Sequence, residues 1–269
     1  MTTGLSGIPE TLLIPLWARA AETRAAAPIV RDTRAADIMA RIDYDFARFD
    51  RAWLTQVGVA VRTKILDRAT RAYLDRVPGA TVVSLGAGLD TRHARLAPRV
   101  TRWYDLDLPE VIALRRRFFS DTDRYRMIPA SMFATTWMDR VAAEGTPVLL
   151  IAEGVLPYFA ETDLKPLLAT LAERFRGGEM LLQTLPPALV GRGRYHDSVR
   201  RLDGRPDFKW GVTDVQTLAG WHSGLSVAEH WNYFDYHKDR WRWYGRLMTV
   251  PALRRRMSRR IVRLRFGEA

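Results

Sequence analysis

The sequence predicts an α/β fold in which helices cover both faces of a mostly parallel sheet. Three observations support this prediction: a helical prefix, a short apolar strand that ends in a glycine turn at residues 81–88, and alternating strand and helix patterns up to residue 184. Repeated alternation is typical of strand–helix–strand units, which place parallel strands side by side. Strands of this kind are apolar along their length because both of their faces are buried.

The first 76 residues are predicted to be helical. Apolar side chains recur at spacings of three and four, as at Ile38, Ile42 and Phe46, which is the period of an amphipathic helix. We expect residues 1–76 to form an N-terminal helical cap within the same domain as the core, residues 77–269. The apolar run near the start has no basic segment before it and no small-residue cleavage site, so it does not resemble a signal peptide.

The core elements follow from local composition. Strands are predicted where β-branched and large apolar residues cluster between turn residues, and helices where the period lengthens or a proline stands in a first turn. The predicted strands span residues 81–85, 100–106, 125–129, 148–152, 179–184, 225–231 and 261–266. The predicted helices span residues 109–119, 137–143 and 161–175, with another near 213–219.

Two segments do not follow the alternating pattern. Residues 186–206 are rich in Gly, Pro, Arg and Asp, and the segment is longer than a usual connection, so we expect a lid or a substrate-binding loop. Residues 210–244 are rich in aromatic residues and carry no recognisable motif. We expect this stretch to form ordinary core.

The amino-acid composition limits the kinds of cofactor, partner and catalytic group that we expect. The chain has no cysteine and only five histidines, so we expect no metal centre, iron–sulfur cluster or thiolate nucleophile. Glu153 interrupts the longest apolar run, which is much shorter than the ~20 residues that cross a bilayer. We therefore expect a cytoplasmic protein with no membrane partner. The net charge of +12 allows an anionic partner, although a solvated basic surface is the more common case.

The sharpest local signal is Gly86-Ala87-Gly88, directly after the first strand of the core. Glycines there let the backbone approach a ligand, and the start of the next helix offers free N–H groups. The third glycine of the dinucleotide-binding motif is absent, since Thr91 stands in its place. Taken alone, the turn is either a nucleotide site or a plain tight turn.

Two aspartates, Asp105 and Asp107, stand near the end of the second strand, about 20 residues after the turn. A carboxylate at this position can accept hydrogen bonds from both hydroxyls of a ribose. The two side chains point to the same side of an extended strand. We expect one of them to hold a ribose and the other to cap a helix or to be a surface charge.

With these motifs the sequence resembles the leucine carboxyl methyltransferase family of class I S-adenosylmethionine-dependent methyltransferases, nearest a bacterial branch linked to polyketide O-methylation. The resemblance implies a Rossmann-like, seven-stranded sheet, S-adenosyl-L-methionine as cofactor and O-methyl transfer. It extends to about residue 187. It rests on six ordered segments: residues 11–16 with Arg19 and Glu22, residues 42–46, Arg62-Thr63, residues 85–92, Asp105-x-Asp107-x-Pro109 and residues 152–158.

The resemblance also implies roles for single residues. Arg62 matches the arginine that pairs with the methionine carboxylate of the cofactor, a task that suits a planar guanidinium. Gly86, Ala87 and Gly88 match the turn under the methionine moiety. Asp107, with Leu108 after it, matches the ribose carboxylate better than Asp105 does.

The loops after the third and fourth strands complete the expected cofactor site. Glu153, followed by Gly154, is expected to hold the cofactor's ammonium group or to line the acceptor pocket. Tyr158 either packs near the methionine moiety or fills core. Several family members carry an acidic residue after the third strand, whereas this chain has Ser131 and Met132. We expect Ser131 to bind the adenine amine and Met132, or the next residue, to cover the ring.

The expected acceptor is a carboxylate, or a phenolic hydroxyl, of a small polyketide-like metabolite. A carboxylate needs no catalytic base, whereas a hydroxyl would need one, and His196, His222 and Tyr158 are the candidates. Two other functions stay open: an RNA-modifying methyltransferase that binds phosphates through clusters such as residues 115–117, and a catalytically silent Rossmann-like binding module. We expect no specific nucleic-acid partner, since aromatic stacking residues do not accompany the arginines. The sequence does not reveal the oligomeric state.

Overall fold

A computed structural model describes residues 7–96, 102–204 and 206–267 of the chain. Its seven strands are β1 (Thr81–Leu85), β2 (Arg102–Asp107), β3 (Tyr125–Pro129), β4 (Val148–Ala152), β5 (Glu179–Thr184), β6 (Leu225–Asn232) and β7 (Arg260–Phe266). Within these ranges they form one sheet in the order β3-β2-β1-β4-β5-β7-β6. Strands β1 to β5 are parallel, and β7 is antiparallel to both β5 and β6. The mostly parallel seven-stranded sheet is thus confirmed.

Helices precede the sheet and alternate with its strands. The α-helices are α1 (Leu13–Thr23), α2 (Thr33–Arg41), α3 (Trp53–Arg76), α4 (Arg92–Leu96), α5 (Pro109–Arg115), α6 (Thr136–Ala142), α7 (Glu161–Arg174), α8 (Arg242–Leu247) and α9 (Pro251–Met257). The 3-10 helices are Pro9–Leu12, Phe46–Phe49, Leu156–Tyr158, Pro187–Leu189, Gly193–Tyr195, Val199–Arg201, Val215–Trp221, Tyr233–Asp235 and Lys238–Trp241.

Two apolar cores cover the two faces of the sheet. Val82 of β1 belongs to a core that includes residues of α1, α2, α3 and α5. The next residue, Val83, belongs to a second core, which includes residues of α6 and α7. Because successive side chains of a strand point to opposite faces, helices pack on both sides of the sheet.

The helical prefix packs directly on the sheet. Leu13 and Leu16 of α1 and Ile65 of α3 are buried in the same core as Val82. The prefix therefore contributes to the hydrophobic core, and removing it would expose apolar surface of the sheet. A Pro stands in the first turn of α5, where its missing N–H costs no hydrogen bond.

Several predicted bounds differ from the structure. Strand β2 is displaced from the predicted 100–106 and includes Asp107, and the predicted residues 100 and 101 lie outside the described part of the chain. The predicted helix 109–119 ends at Arg115 in α5. The helix expected near 213–219 is a 3-10 helix, and α4 was not predicted. Elements of five to seven residues contain too few turns to display a period.

The expected polar loop at residues 186–206 is more ordered than its composition indicated. Its described residues, 186–204 and 206, include three 3-10 helices, and Val199 and Leu202 are buried. These two side chains belong to a third apolar cluster, which also contains Trp17 of α1 and Phe208. The cluster thus joins the prefix to this segment above the carboxyl edge of the sheet.

Candidate active site

A cavity of about 290 Å³ lies at the carboxyl edge of the parallel strands. The turn after β1 and the ends of β2, β4 and β5 line it with Gly86, Asp107, Glu153 and Gln183. In open α/β sheets, ligands bind at this edge because the loops that follow the strands converge there. Phe208 lines the cavity from the side of the third apolar cluster.

The cavity brings together every residue predicted to bind the cofactor. They are Arg62, Gly86, Ala87, Gly88, Asp107, Leu108, Ser131, Met132, Glu153, Gly154 and Tyr158. His196 also lines the cavity, whereas His222 is not among its lining residues and lies 3.2 Å (Nε2) from Glu173 Oε1. The structure therefore does not support His222 as a candidate base.

The turn after β1 requires its two glycines. Gly86 has a φ of +66° and Gly88 a φ of +48°, in the region that side chains disfavour. A Cβ on Gly86 would lie 2.7 Å from Val155 Cγ2, and one on Gly88 would lie 3.0 Å from Leu12 Cβ. The turn is therefore packed between the loop after β4 and the prefix, which leaves no room for a larger residue at Gly86.

Asp107 places its carboxylate against the glycine turn. Its Oδ2 accepts a hydrogen bond from the Gly88 N–H at 2.7 Å, and its Oδ1 accepts one from the Leu108 N–H at 2.8 Å. Burial raises the pKa of Asp107 above its ordinary value. In the described ranges no arginine or lysine forms an ion pair with it, and the residue lines the cavity.

Asp105, in contrast, is a buried structural residue, and the expectation of a helix cap or surface charge is wrong for it. It forms an ion pair with Arg115 and accepts a hydrogen bond from Tyr125 Oη at 2.6 Å. Arg115 in turn donates to the carbonyls of Gly88 and Asp90, at 2.8 and 2.7 Å. Asp105 thus supports the glycine turn through Arg115 and does not line the cavity.

Glu153 joins two arginines at the carboxyl end of β4. Its Oε1 accepts a hydrogen bond from Arg62 Nε at 2.7 Å, and its Oε2 accepts one from Arg92 Nη2 at 2.5 Å. Arg62 also donates to Gln183 Oε1 at 3.1 Å. Burial by itself raises the pKa of Glu153, but the Arg62 and Arg92 guanidiniums outweigh it and hold that pKa below its ordinary value.

Buried ion pairs connect Glu153 to the prefix. Arg92 also pairs with Asp67 at 2.8 Å, and Arg95 pairs with Asp67 at 2.7 Å and with Asp32 at 2.8 Å. Asp32 pairs in turn with Arg19 of α1 at 2.9 Å. Each charge has at least one opposite partner, as burial requires. The helices of the prefix are therefore tied electrostatically to the cavity.

Some lining residues were missed by sequence reasoning. Gln183 stands near the end of β5, where the strand-end rule that indicated Glu153 also applies. Tyr233 and Arg259 line the cavity from the end of β6 and the start of β7. Their position is evident only once β7 is known to be antiparallel, because its first residues then lie at the carboxyl edge of the parallel strands.

The described residues contain no group of three or more His, Asp or Glu side chains arranged to hold a metal ion. None of the described helices is long and apolar enough to cross a membrane.

Comparison with known proteins identifies the family. Residues 13–172 match the family described as Leucine carboxyl methyltransferase. The tetracenomycin polyketide synthesis O-methyltransferase TcmP of Streptomyces glaucescens is 33% identical over 272 residues, which cover 98% of this chain and 99% of that protein. The S-adenosyl-L-methionine-dependent methyltransferase dpfgK of Gibberella zeae is 32% identical over 188 residues, covering 64% and 63% of the two chains.

Solved structures share the fold. A DUF574 family protein from Streptomyces avermitilis superposes with a TM-score of 0.56 and 14% identity, covering 92% of this chain and 96% of its own. A SAM-dependent methyltransferase from Anabaena variabilis gives a TM-score of 0.54 and 10% identity, with coverage of 83% and 96%. The chain belongs to the leucine carboxyl methyltransferase family, and it is an S-adenosylmethionine-dependent methyltransferase.

Proposed function

We propose that this enzyme transfers a methyl group to a carboxylate oxygen of a small, polyketide-like acid. The observation that supports the proposal is one cavity that includes both the residues expected to bind the cofactor and a mainly apolar part lined by Ile14, Leu185, Val199 and Phe208. Its volume is near that of small-molecule sites. The name of TcmP, which states polyketide O-methylation, supports the same acceptor class.

The lining residues fit S-adenosylmethionine. Asp107 has acceptor capacity for ribose hydroxyls, and Ser84 Oγ, also on the cavity wall, is buried without a described hydrogen-bond partner. Leu108 and Met132 offer apolar cover for an adenine ring, and Ser131 offers a hydroxyl to its amine. Leu108, Ser131 and Met132 lie in the loops after β2 and β3, and Ser84 and Asp107 lie near the ends of β1 and β2. One extended ligand at the strand ends would contact residues in these positions.

Arg62 and Glu153 are proposed to hold the amino-acid end of the cofactor. The Arg62 guanidinium would bind its carboxylate, and the ionised Glu153 would bind its ammonium group. An ideal Cβ on Gly154 would lie 3.3 Å from Arg62 Nη2, so this glycine leaves the guanidinium room. The bound cofactor supplies a methyl carbon attached to a positively charged sulfur, and the surrounding residues orient it.

The helical prefix and the segment at residues 186–206 are proposed to act as a lid that excludes water from the acceptor. Trp17, Leu202 and Phe208 are all buried in the third apolar cluster, and the ring of Tyr158 lies 5.4 Å from that of Phe208. A carboxylate loses part of its hydration shell in such a place, and it reacts best when held roughly 3–3.5 Å from the methyl carbon.

The protonation states of the candidate bases favour a carboxylate acceptor. Burial, aided by Arg259, lowers the pKa of His196 to about 4, so its ring is neutral but only weakly basic. Burial raises the pKa of Tyr158 to about 12, which keeps its hydroxyl protonated at neutral pH. A phenolic acceptor would depend on the weak base His196, whereas a carboxylate is already ionised.

The two alternative functions have less support. Arg115, part of the basic cluster at residues 115–117, is fully buried and paired with Asp105, so it is not available to a phosphate. A catalytically silent binding module would not need one cavity with residues for the cofactor's amino-acid end, for its ribose and for an acceptor. Small-molecule transfer accounts for all of them.

The test uses methyl-tritiated S-adenosylmethionine and a panel of aromatic carboxylic acids, each paired with its primary amide. We expect label in acids but not in amides, and release of that label as methanol under mild alkali, since esters hydrolyse where aryl ethers do not. Alkali-stable label would indicate a phenolic acceptor. Label recovered only in added RNA, or cofactor binding without transfer to any acceptor, would overturn the proposal.

A further inference from the structure

Arg259 is a buried arginine on the wall of the cavity, and no described acidic residue pairs with it. It is 9% exposed, and within the described ranges its guanidinium makes no hydrogen bond, ion pair or ring contact. The other lining arginines, Arg19, Arg62 and Arg92, each pair with a carboxylate. An uncompensated buried charge is costly, so an anion that enters the cavity would be attracted to Arg259.

Tyr233 supplies a second donor beside Arg259. Its backbone N–H donates to the Arg259 carbonyl at 3.1 Å, which makes the two residues neighbours next to the antiparallel β6–β7 pair. The Tyr233 hydroxyl is buried and has no described hydrogen-bond partner, and the residue lines the cavity. A buried hydroxyl without a partner is energetically unfavourable until a ligand accepts its hydrogen bond.

Sheet topology separates Arg259 from the cofactor's ribose position. Asp107 ends β2, whereas Arg259 directly precedes β7, and β1, β4 and β5 lie between these two strands. Four strand spacings correspond to roughly 19 Å. The pairing of Arg260 with Thr184 places the start of β7 at the carboxyl end of β5. Among the described residues, the cavity thus has an aspartate without an ion-pair partner near β2 and an arginine without one near β7.

We infer that Arg259 and Tyr233 form a receptor for a carboxylate of the acceptor, and that they select organic acids over neutral analogues. A guanidinium can donate two parallel hydrogen bonds to a carboxylate, and the phenol donates a third. A carboxylate has about four lone-pair positions, so an oxygen held in this way retains a lone pair for the methyl carbon. The inference rests on the proposed function, but anion binding requires no methyl transfer.

The test measures binding, so that it is independent of transfer. Protein saturated with S-adenosylhomocysteine is titrated calorimetrically with benzoate, 1-naphthoate, 2-naphthoate and anthracene-2-carboxylate, and with the four matching primary amides. We expect at least one acid to bind the wild type roughly 10- to 100-fold more tightly than its amide. Arg259→Gln should abolish this preference, and Arg259→Lys should retain part of it. Arg255→Gln, which removes an exposed arginine that does not line the cavity, is the matched control.

Tyr233→Phe removes only the hydroxyl and keeps the side chain's volume, so it tests the inference even if Arg259→Gln fails to fold. We expect about threefold to tenfold weaker acid binding, with amide binding unchanged. The inference is overturned if no acid binds, if acids and amides bind equally to the wild type, or if Arg259→Gln weakens S-adenosylhomocysteine in place of the acid. Acid preference without ester formation in the transfer assay would leave the receptor intact and refute only the proposed reaction.

Discussion

Substituting the two aspartates of β2 separately should give opposite results. Among the described residues, Asp107 accepts hydrogen bonds only from backbone N–H groups, whereas Asp105 is paired with a buried arginine. Asp107→Asn should therefore affect cofactor binding, and Asp105→Asn should affect folding. The two changes are chemically identical and lie two residues apart on one strand, so each serves as a control for the other.

The magnitudes follow from these contacts. A hydrogen bond to a charged acceptor contributes about 1.5–3 kcal/mol. An amide at residue 107 would keep one of the two hydrogen bonds to the ribose hydroxyls, and that bond would be to a neutral acceptor. We expect Asp107→Asn to weaken S-adenosylhomocysteine by about 2–3 kcal/mol, or roughly 30- to 150-fold in Kd. Asp105→Asn leaves Arg115 buried without its partner, which costs about 3–5 kcal/mol of folding stability.

The assay pairs isothermal titration with S-adenosylhomocysteine and urea unfolding of the same samples. Glu110→Gln, an exposed carboxylate in the first turn of α5, removes the same charge without touching the cavity and should match the wild type in both. Unchanged affinity in Asp107→Asn, or a large affinity loss with normal stability in Asp105→Asn, would refute the assignment of the ribose to Asp107.

Three further predictions follow from the site. Gly86→Ala should cost about 1–3 kcal/mol of stability, because its Cβ would lie 2.7 Å from Val155 Cγ2 and the φ of residue 86 is positive. Adding Val155→Ala to this variant should restore part of the lost stability in a thermal melt, and no restoration would argue against the clash. Arg62 and Arg92 outweigh burial and hold the pKa of Glu153 low in the folded state, so ionised Glu153 should stabilise the fold above its unfolded pKa of ~4.3, and this contribution should be lost as pH falls through the lower folded pKa. In urea titrations the difference in unfolding free energy between wild type and Glu153→Gln should shrink toward pH 3, and a constant difference would contradict this. Phe208→Ala should raise the acceptor KM at least tenfold while leaving S-adenosylhomocysteine affinity unchanged, because the ring packs in the third cluster beside Tyr158. A change in S-adenosylhomocysteine affinity alone would place this ring in the cofactor subsite and contradict the prediction.

Local sequence signals predicted four of the five parallel strands with their bounds. Strands β1, β3, β4 and β5 coincide with the predicted ranges. Strands β1, β4 and β5 are buried along their whole length, as is typical of central strands in a parallel sheet. The strand-end rule then located Asp107 and Glu153, since side chains that follow parallel strands converge at one edge.

Features that depend on long-range packing were not predictable. Asp105 and Asp107 have different roles because Asp105 pairs with Arg115. No local sequence pattern reveals that Arg115 is buried under the glycine turn. Val199 and Leu202 are single apolar residues among arginines, so their place in the third cluster needs the three-dimensional fold. Arg259 lies in the cavity only because β7 reverses direction, and the aromatic-rich tail before it gave no periodic signal.

A crystal structure of the enzyme with S-adenosylhomocysteine and a bound aromatic carboxylate tests the central claim most directly, namely that one cavity holds the cofactor toward β2 and an acid toward β7. We predict ribose hydroxyls on Asp107, the amino-acid end on Arg62 and Glu153, and the acid's carboxylate on Arg259 and Tyr233 with an oxygen facing the cofactor's sulfur. A ribose away from Asp107, or a carboxylate bound elsewhere with Arg259 still unpaired, would contradict the account.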